Sequence, residues 1–418
     1  MLIKINKKDF KAEVRLPESK SISNRALMIC AYGGFDFSSI AALSEADDTQ
    51  MLIRNLHLIQ QGANRNLLTT IHCGNAGTVF RFLVTYLASV HGDWMLTGDE
   101  RMKARPVSDL VDSLKQLGAN IQYAEKEGFA PLRIHGKKLQ GGKTKVSMEK
   151  SSQFASSLVL AAPTWKNGLE LELSGNLSSM PYLEMSVNLM KWYGANIIVN
   201  NRIIHILPLE YKKNTLTVEP DWSAAAFWFE LVAMSEGGEL LIKNLSFNSL
   251  QGDKEMVSMF SQLGVEAFQE PDGLLVFKTG KIAKKLQFDL QNHPDMLPAL
   301  AATCAGLKVQ ARFTGLENLK YKESDRTAAL QVELQKIGCR FIQISEGVFD
   351  LYPENQNTDL QFIHFKTYHD HRMAMALSPL AMVSNAVTIE NPSVVVKSYP
   401  NFWIELNHTQ AFTINEQQ

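Results

Sequence analysis

Apolar positions along this chain return at two spacings, and the switch between them marks the elements. Ile22, Ala26, Ile29 and Cys30 recur at helical spacing within and just after the stretch PESKSISNRALM (17–28). Pro17 disfavours helix before it, and Ser19 or Ser21 is a good N-cap. Alternating segments predict strands with one face toward water: KVSMEK (145–150), LELELSG (169–175), RIIHILPL (202–209) and KVQARFTGL (308–316). The long apolar strands of a doubly wound parallel sheet are scarce. The pattern predicts an α+β fold with α/β-type repeats.

One junction recurs: a helical segment ends in Gly and a strand follows, at Gly62, Gly118, Gly194, Gly264 and Gly338. Gly suits the position after a helix because it accepts the left-handed conformation. The spacing is wrong for a solenoid and fits a repeated unit of about two strands or more per helix. In 210–225 (EYKKNTLTVEPDWSAA), charge and Pro lead into a new helix with Asp221 or Ser223 as its cap, which predicts a domain boundary near 220.

A length of 418 residues implies two or three domains. Lys+Arg (42) balances Asp+Glu (43), so no polyanionic partner such as nucleic acid is expected and any anion site must come from local clustering. The four cysteines, Cys30, Cys73, Cys304 and Cys339, form no CxxC pair and read as reduced packing residues. The start, MLIKINKKDFKAEV, alternates like a strand and lacks a signal-peptide core, and no segment reads as a membrane span; a cytoplasmic location is expected.

Several familiar motifs fail on spacing. In GKKLQGGKTKV, Gly136 lies one residue too far from Gly142-Lys143-Thr144 for a phosphate-binding loop, and the segment reads as a basic hairpin turn. There is no GxGxxG or GxSxG. His369-Asp370-His371 has no supporting His/Cys set, so no metal is expected.

What does recur is a polar or cationic turn opening onto an apolar helix. HCGNAGTVFRFL (72–83) pairs Gly74 and Gly77, which let a ligand approach the backbone, with the Thr78 hydroxyl. GDERMKARP (98–106) sets Arg101, Lys103 and Arg105 before Pro106, and KSSQFASSLVLAAP (150–163) sets Ser151, Ser152 and Gln153 before a helix. In KYKESDRTAALQVEL (320–334), Lys322 and Arg326 are expected as i,i+4 neighbours, as are Glu323 and Thr327. YHDHRMAMAL (368–377) places Arg372 at a helix start, and NPSVVVKSYPNFW (391–403) places Lys397 at the end of an expected strand. If these turns meet, they form a receptor for small polyanions, with Arg giving bidentate contacts and Lys a point charge.

In this order, PESKSISNRA, GNAGT, ERMKARP, SSQF, YKESDR, DHRMAM and the final Lys397 resemble the 5-enolpyruvylshikimate-3-phosphate synthase family over about residues 14–403. The resemblance implies two similar domains, each of three βαβαββ units in an inside-out α/β barrel, with the active site in the interdomain cleft. The domains expected are 1–18 with 222–418, and 19–221. The implied reaction moves the enolpyruvyl group of phosphoenolpyruvate to the 5-hydroxyl of shikimate 3-phosphate without metal or organic cofactor. The implied shikimate 3-phosphate contacts are Lys20, Ser21, Arg25, Ser151, Ser152, Gln153, Ser179, Tyr182, Asp295, Asn318 and Lys322. Those for phosphoenolpyruvate are Lys20, Gly77, Arg105, Gln153, Arg326, Arg372 and Lys397. Asp295 is implied as the base for the hydroxyl and Glu323 as the proton donor to carbon, with Lys20 assisting. A monomer is implied, as is inhibition by glyphosate in competition with phosphoenolpyruvate.

The chain departs from the family pattern at Glu18 (often Gly), Phe82 (often Pro) and Met180 (often basic), and His293 and Met296 flank Asp295 unusually. Two other readings stand beside this one. The first is the sister transferase acting on a UDP-amino sugar, although the loop cysteine common there is absent from ERMKARP. The second is an inactive anion-binding paralogue, although Asp295, Glu323 and Lys20 are all present.

Overall fold

Every residue of the helices Trp222–Met234 and His371–Leu377 is buried. Gly77–Ser89 and Ser152–Ala161 are buried at all but two positions and one position respectively. A helix without a polar face has to lie inside, with other elements around it. The strands do the surrounding, because they alternate: Leu169–Ser174 and Leu132–Gly136 bury every second side chain. The sequence therefore specifies helices within and sheets without. The computed structural model, which describes residues 1–62, 67–354 and 362–415, has this arrangement.

The chain divides into two compact units, 1–18 with 219–418, and 19–218. Each has its own apolar core, built around Trp222 and Trp228 in the first and Trp94 and Trp165 in the second. Four sheets repeat one order. In one, Leu68–His72 runs parallel to Gly92–Thr97, then Leu132–Gly136 and Asn120–Tyr123 continue antiparallel. The sheets that begin with Gly142–Ser147, Lys11–Arg15 and Lys285–Asp289 place their strands the same way. In a fifth, Ile363–Phe365 is parallel to Ala386–Ile389, and the N-terminal strand Leu2–Ile5 takes the inner place before Phe412–Asn415. The sixth is a parallel pair of two-residue strands, Ile40–Ala41 and Leu216–Thr217; Ala42 turns left-handed (φ 54) and ends the extended run.

The four alternating segments are strands, at Gly142–Ser147, Leu169–Ser174, Ile203–Ile206 and Gln310–Thr314. Ser19 caps the helix Lys20–Gly33, and Asp221 caps Trp222–Met234. Four of the five junction glycines have positive φ, between 73° and 88°. Gly62 instead ends its helix, and part of the segment after it lies outside the described residues. A side chain there would meet the Trp94 ring at 3.2 Å, so close packing is what Gly62 serves.

Three local expectations are corrected. GKKLQGGKTKV is not a hairpin, because Leu132–Gly136 and Gly142–Ser147 pair in different sheets. The segment before Lys397 is the 3₁₀ helix Pro392–Lys397, not a strand; Asn391 turns left-handed and Pro392 begins the turn without an N–H. The helix at YKESDR starts only at Arg326, capped by Asp325, so Lys322 and Glu323 precede it. Among the described residues no helix is long and apolar enough to cross a membrane.

One buried acid lacks support. Glu230, in the middle of Trp222–Met234, is fully buried, and neither carboxyl oxygen has a partner among the described residues. Burial pushes its carboxyl well above the ordinary 4.5. Above that pH the folded state keeps a proton that the unfolded state releases, so Glu230 lowers stability progressively as pH rises. We predict that Glu230→Met stabilises the protein by about 2 kcal/mol at neutral pH, with a smaller gain near pH 5. Urea unfolding at the two pH values checks this, and an equal or reversed gain would refute it.

Candidate active site

In residues 19–218 the polar chemistry sits at helix N-termini. Lys20 opens the helix Lys20–Gly33, and its Nζ lies 3.0 Å from Asp48 Oδ2, in the first turn of Asp47–Gly62. One helical turn further on, Arg25 is 2% exposed. It donates from Nε to Ser186 Oγ (2.7 Å), from Nη1 to the Ser21 carbonyl (2.9 Å) and from Nη2 to the Tyr182 carbonyl (3.0 Å). All three acceptors are neutral. The guanidinium also lies 5.6 Å from the centre of the Phe82 ring. Burial pulls its pKa down to about 10, with Tyr182 partly opposing the shift. Among the described residues Arg25 is thus a buried cation without a carboxylate partner, and two of its five N–H groups remain for an incoming anion.

The GNAGT turn forms a second cluster. A side chain on Gly77 would sit 2.6 Å from both terminal nitrogens of Arg105 and from one of Arg81, so glycine lets both guanidinium groups lie against this helix start without being pushed aside. Arg105 Nη1 donates to the Asn75 carbonyl (3.4 Å). Arg81 Nη1 donates to Gln153 Oε1 (2.7 Å), and Gln153 Nε2 donates to Thr78 Oγ1 (2.8 Å). Ser151 caps the helix Ser152–Ala161 by accepting from the Gln153 amide, and Ser152 is buried beside it. Ser179 is left-handed (φ 58), a conformation that costs a non-glycine residue energy and tends to persist at functional sites. Lys103 of GDERMKARP behaves differently: it pairs with Glu100 and Glu125 at the surface, whereas Arg105 is 3% exposed.

Residues 1–18 with 219–418 hold a denser constellation. Asp295 Oδ1 accepts from Arg326 Nη1 (2.6 Å) and Lys322 Nζ (3.2 Å), and Oδ2 accepts from Arg372 Nη2 (3.1 Å). Arg326, itself 1% exposed, also donates from Nη2 to Glu323 Oε2 (2.9 Å) and from Nε to Asp370 Oδ2 (2.9 Å). Arg372 Nη2 reaches Ser223 Oγ at 3.0 Å. Burial alone would raise the Asp295 pKa, but Arg372, Lys322 and Arg326 outweigh it and hold the carboxyl well below the usual range. Lys322 is pulled down by burial, with Asp295 opposing. For Arg326, burial loses to Asp370, Asp295 and Glu323, and its proton is held more tightly than usual.

Asp295, Glu323, Lys322, Arg326 and Arg372 are therefore brought together, as are Gly77, Arg105 and Gln153. Lys20, Ser21 and Arg25 share one helix start, with Tyr182 against Arg25. Asn318 does not join the Asp295 group; its Oδ1 is buried without a partner among the described residues. Lys397 ends its 3₁₀ turn, half-buried. Among the described residues no group of three or more His, Cys, Asp or Glu could hold a metal.

Sequence reading missed Asp48, Arg81, Ser186, Ser223 and Asp370. Arg81 was detectable as a lone cation among apolar residues in VFRFLV. Asp370 lies inside YHDHRMAMAL, where the sequence presents it as half of a metal pattern; it caps His371–Leu377 and anchors Arg326 instead.

The family model described as EPSP synthase (3-phosphoshikimate 1-carboxyvinyltransferase) matches residues 5–406. A Bacteroides fragilis protein named 3-phosphoshikimate 1-carboxyvinyltransferase is 40% identical over 398 residues, covering 95% of this chain and 94% of its own length. One of the same name from Vibrio cholerae is 31% identical over 412 residues, 94% and 95% of the two chains. The solved EPSP synthase of Acinetobacter baumannii superposes with a TM-score of 0.73 at 20% identity, over 98% of each chain, a likeness of fold. With the family model matching nearly the whole chain, this protein belongs to the EPSP synthase (3-phosphoshikimate 1-carboxyvinyltransferase) family.

Proposed function

We infer that this chain transfers the enolpyruvyl group of phosphoenolpyruvate to the 5-hydroxyl of shikimate 3-phosphate and releases phosphate, a step of the shikimate pathway toward chorismate and the aromatic amino acids. The observation that supports it best is the pair of carboxylates, Asp295 and Glu323, held by one guanidinium and surrounded by further cations. Anions need the cations, and proton transfer in two directions needs the two acids.

The proposed roles follow the chemistry. Shikimate 3-phosphate takes Lys20, Ser21, Arg25, Ser151, Ser152, Gln153, Ser179, Tyr182, Asn318 and Lys322. Phosphoenolpyruvate takes Lys20, Gly77, Arg105, Gln153, Arg326, Arg372 and Lys397. Asp295 accepts the proton of the 5-hydroxyl as its oxygen bonds to C2 of phosphoenolpyruvate. Glu323 delivers a proton to C3, which becomes a methyl group. Loss of a methyl proton and cleavage of the C2–O bond then expel phosphate and restore the double bond.

Without substrate, three cations hold Asp295 as a weak base. An anionic substrate competes for those cations, and each one it draws away makes Asp295 more basic. Binding and activation of the base are then one event. The same reading makes the protein a cytoplasmic monomer that needs neither metal nor organic cofactor.

Purified protein with both substrates and no added metal is expected to release inorganic phosphate, while either substrate alone releases none. Release with a UDP-amino sugar in place of shikimate 3-phosphate would reassign the acceptor, and binding without release would favour an inactive paralogue. Gly77→Ala displaces Arg105 and Arg81, so the KM for phosphoenolpyruvate should rise roughly tenfold, and by more than that for shikimate 3-phosphate, which is touched only through Arg81 and Gln153. Equal changes would show that the turn does not belong to phosphoenolpyruvate. Asp295 stays ionised in the free enzyme to well below its ordinary 3.8. The acid limb of kcat/KM should therefore lie at lower pH than that of kcat, where bound substrate has taken up the cations. Coincident limbs would remove the proposed coupling.

A further inference from the structure

The helices Lys20–Gly33, Gly77–Ser89 and Ser152–Ala161 carry the candidate active-site groups at their N-termini. The C-terminal ends of Lys20–Gly33 and Gly77–Ser89, and the 3₁₀ turn Ala162–Thr164 that continues the third, line a separate cavity of about 970 Å³. The first helix has 14 residues, so the cavity lies about 20 Å along it from Lys20. That volume is at the upper end of ordinary ligand sites, which run roughly 300–1,000 Å³.

Part of its wall is aromatic and fixed. Tyr86, Trp165 and Tyr211 line it and are buried. Trp165 Nε1 donates to Ser89 Oγ (3.3 Å) and the Tyr211 hydroxyl to the Leu160 carbonyl (2.8 Å), which ties both rings to the helix ends. Tyr32 meets Tyr86 edge-on at 5.2 Å, and Phe35 completes the wall. The Tyr32 hydroxyl is buried without a hydrogen-bond partner among the described residues, an unmet demand beside an open space. Lys138 and Lys166 also line the cavity and form no ion pair among the described residues; Glu210 is the single acid lining it. Rigid rings suit a planar ring, and two unpaired ammonium groups against one carboxylate suit an anion.

We propose that this cavity is a second ligand site, for a small planar aromatic carboxylate. It is independent of the active-site assignment, because it shares none of those residues.

Isothermal titration of the 418-residue chain with 4-hydroxyphenylacetate tests it, with phenethylamine and cyclohexylacetate as charge and shape controls. Saturable binding of the aromatic acid is expected up to millimolar concentration, with both controls binding more weakly. It should persist when phosphoenolpyruvate and shikimate 3-phosphate are present. Lys138→Glu with Lys166→Glu, both exposed and not expected to disturb folding, should weaken it roughly tenfold. No binding, binding equalled by either control, displacement by the substrates, or indifference to the double substitution would each overturn the proposal.

Discussion

A helix buried on every side has only its ends left for polar chemistry. That constraint organises this molecule. The flanks of Trp222–Met234 and His371–Leu377 face only neighbours, and Gly77–Ser89 and Ser152–Ala161 come close to the same condition. Their flanks are covered, so a group that projects sideways, as Glu230 does, stays buried and away from solvent. The N-terminal ends offer free N–H groups and a favourable dipole for anions. Arg25 and Gln153 in one unit, and Arg326 and Arg372 in the other, all stand within two turns of such an end. The C-terminal ends are closed differently. Ser89 bonds to the Thr85 carbonyl and Thr164 to that of Ala161, and Tyr211 satisfies Leu160.

The two units handle buried charge in opposite ways. Arg326 is already neutralised, with three carboxylates around one guanidinium. Removing a cation there would strand acids, and adding an anion must displace one. Among the described residues Arg25 has only neutral acceptors, so its charge awaits a partner. A buried ion that is unpaired costs stability, and a bound dianion removes that cost. On this argument Arg25 is a receptor and Arg326 a framework that keeps Asp295 and Glu323 apart and oriented, as well as a contact.

Much of this was legible in the sequence, and the reasons differ by element. Helix starts at Ser19 and Asp221 could be read because capping is local. The strand alternation could be read because each sheet has one wet face. Long-range relations could not. Nothing local says that Gly142–Ser147 abandons the sheet of Leu132–Gly136, or that Val394, Val395 and Val396 coil into a 3₁₀ turn when β-branched residues favour strands. Within the site, cations announce themselves by clustering along the chain, whereas their partners are solitary. Asp48 looks like any first-turn acid, and Ser186 like any helix serine; only the fold sets Ser186 against Arg25, 161 positions away in sequence.

Phe82 shows how a departure from a family pattern can be absorbed. Its position follows the GNAGT turn by four residues, where the family resemblance leads one to expect proline. Proline would remove an N–H inside the helix Gly77–Ser89 and bend it. Phenylalanine keeps the helix regular and places a ring against the Arg25 guanidinium, at 5.6 Å. A desolvated contact of that kind is worth about 2 kcal/mol. Arg25 needs such a contact more than most arginines, because no carboxylate among the described residues balances it. A ring contact uses no N–H group, so it steadies the guanidinium without occupying the two N–H groups that an anion would use. The substitution therefore couples two motifs, PESKSISNRA and GNAGTVFRFL, that are joined nowhere in the sequence.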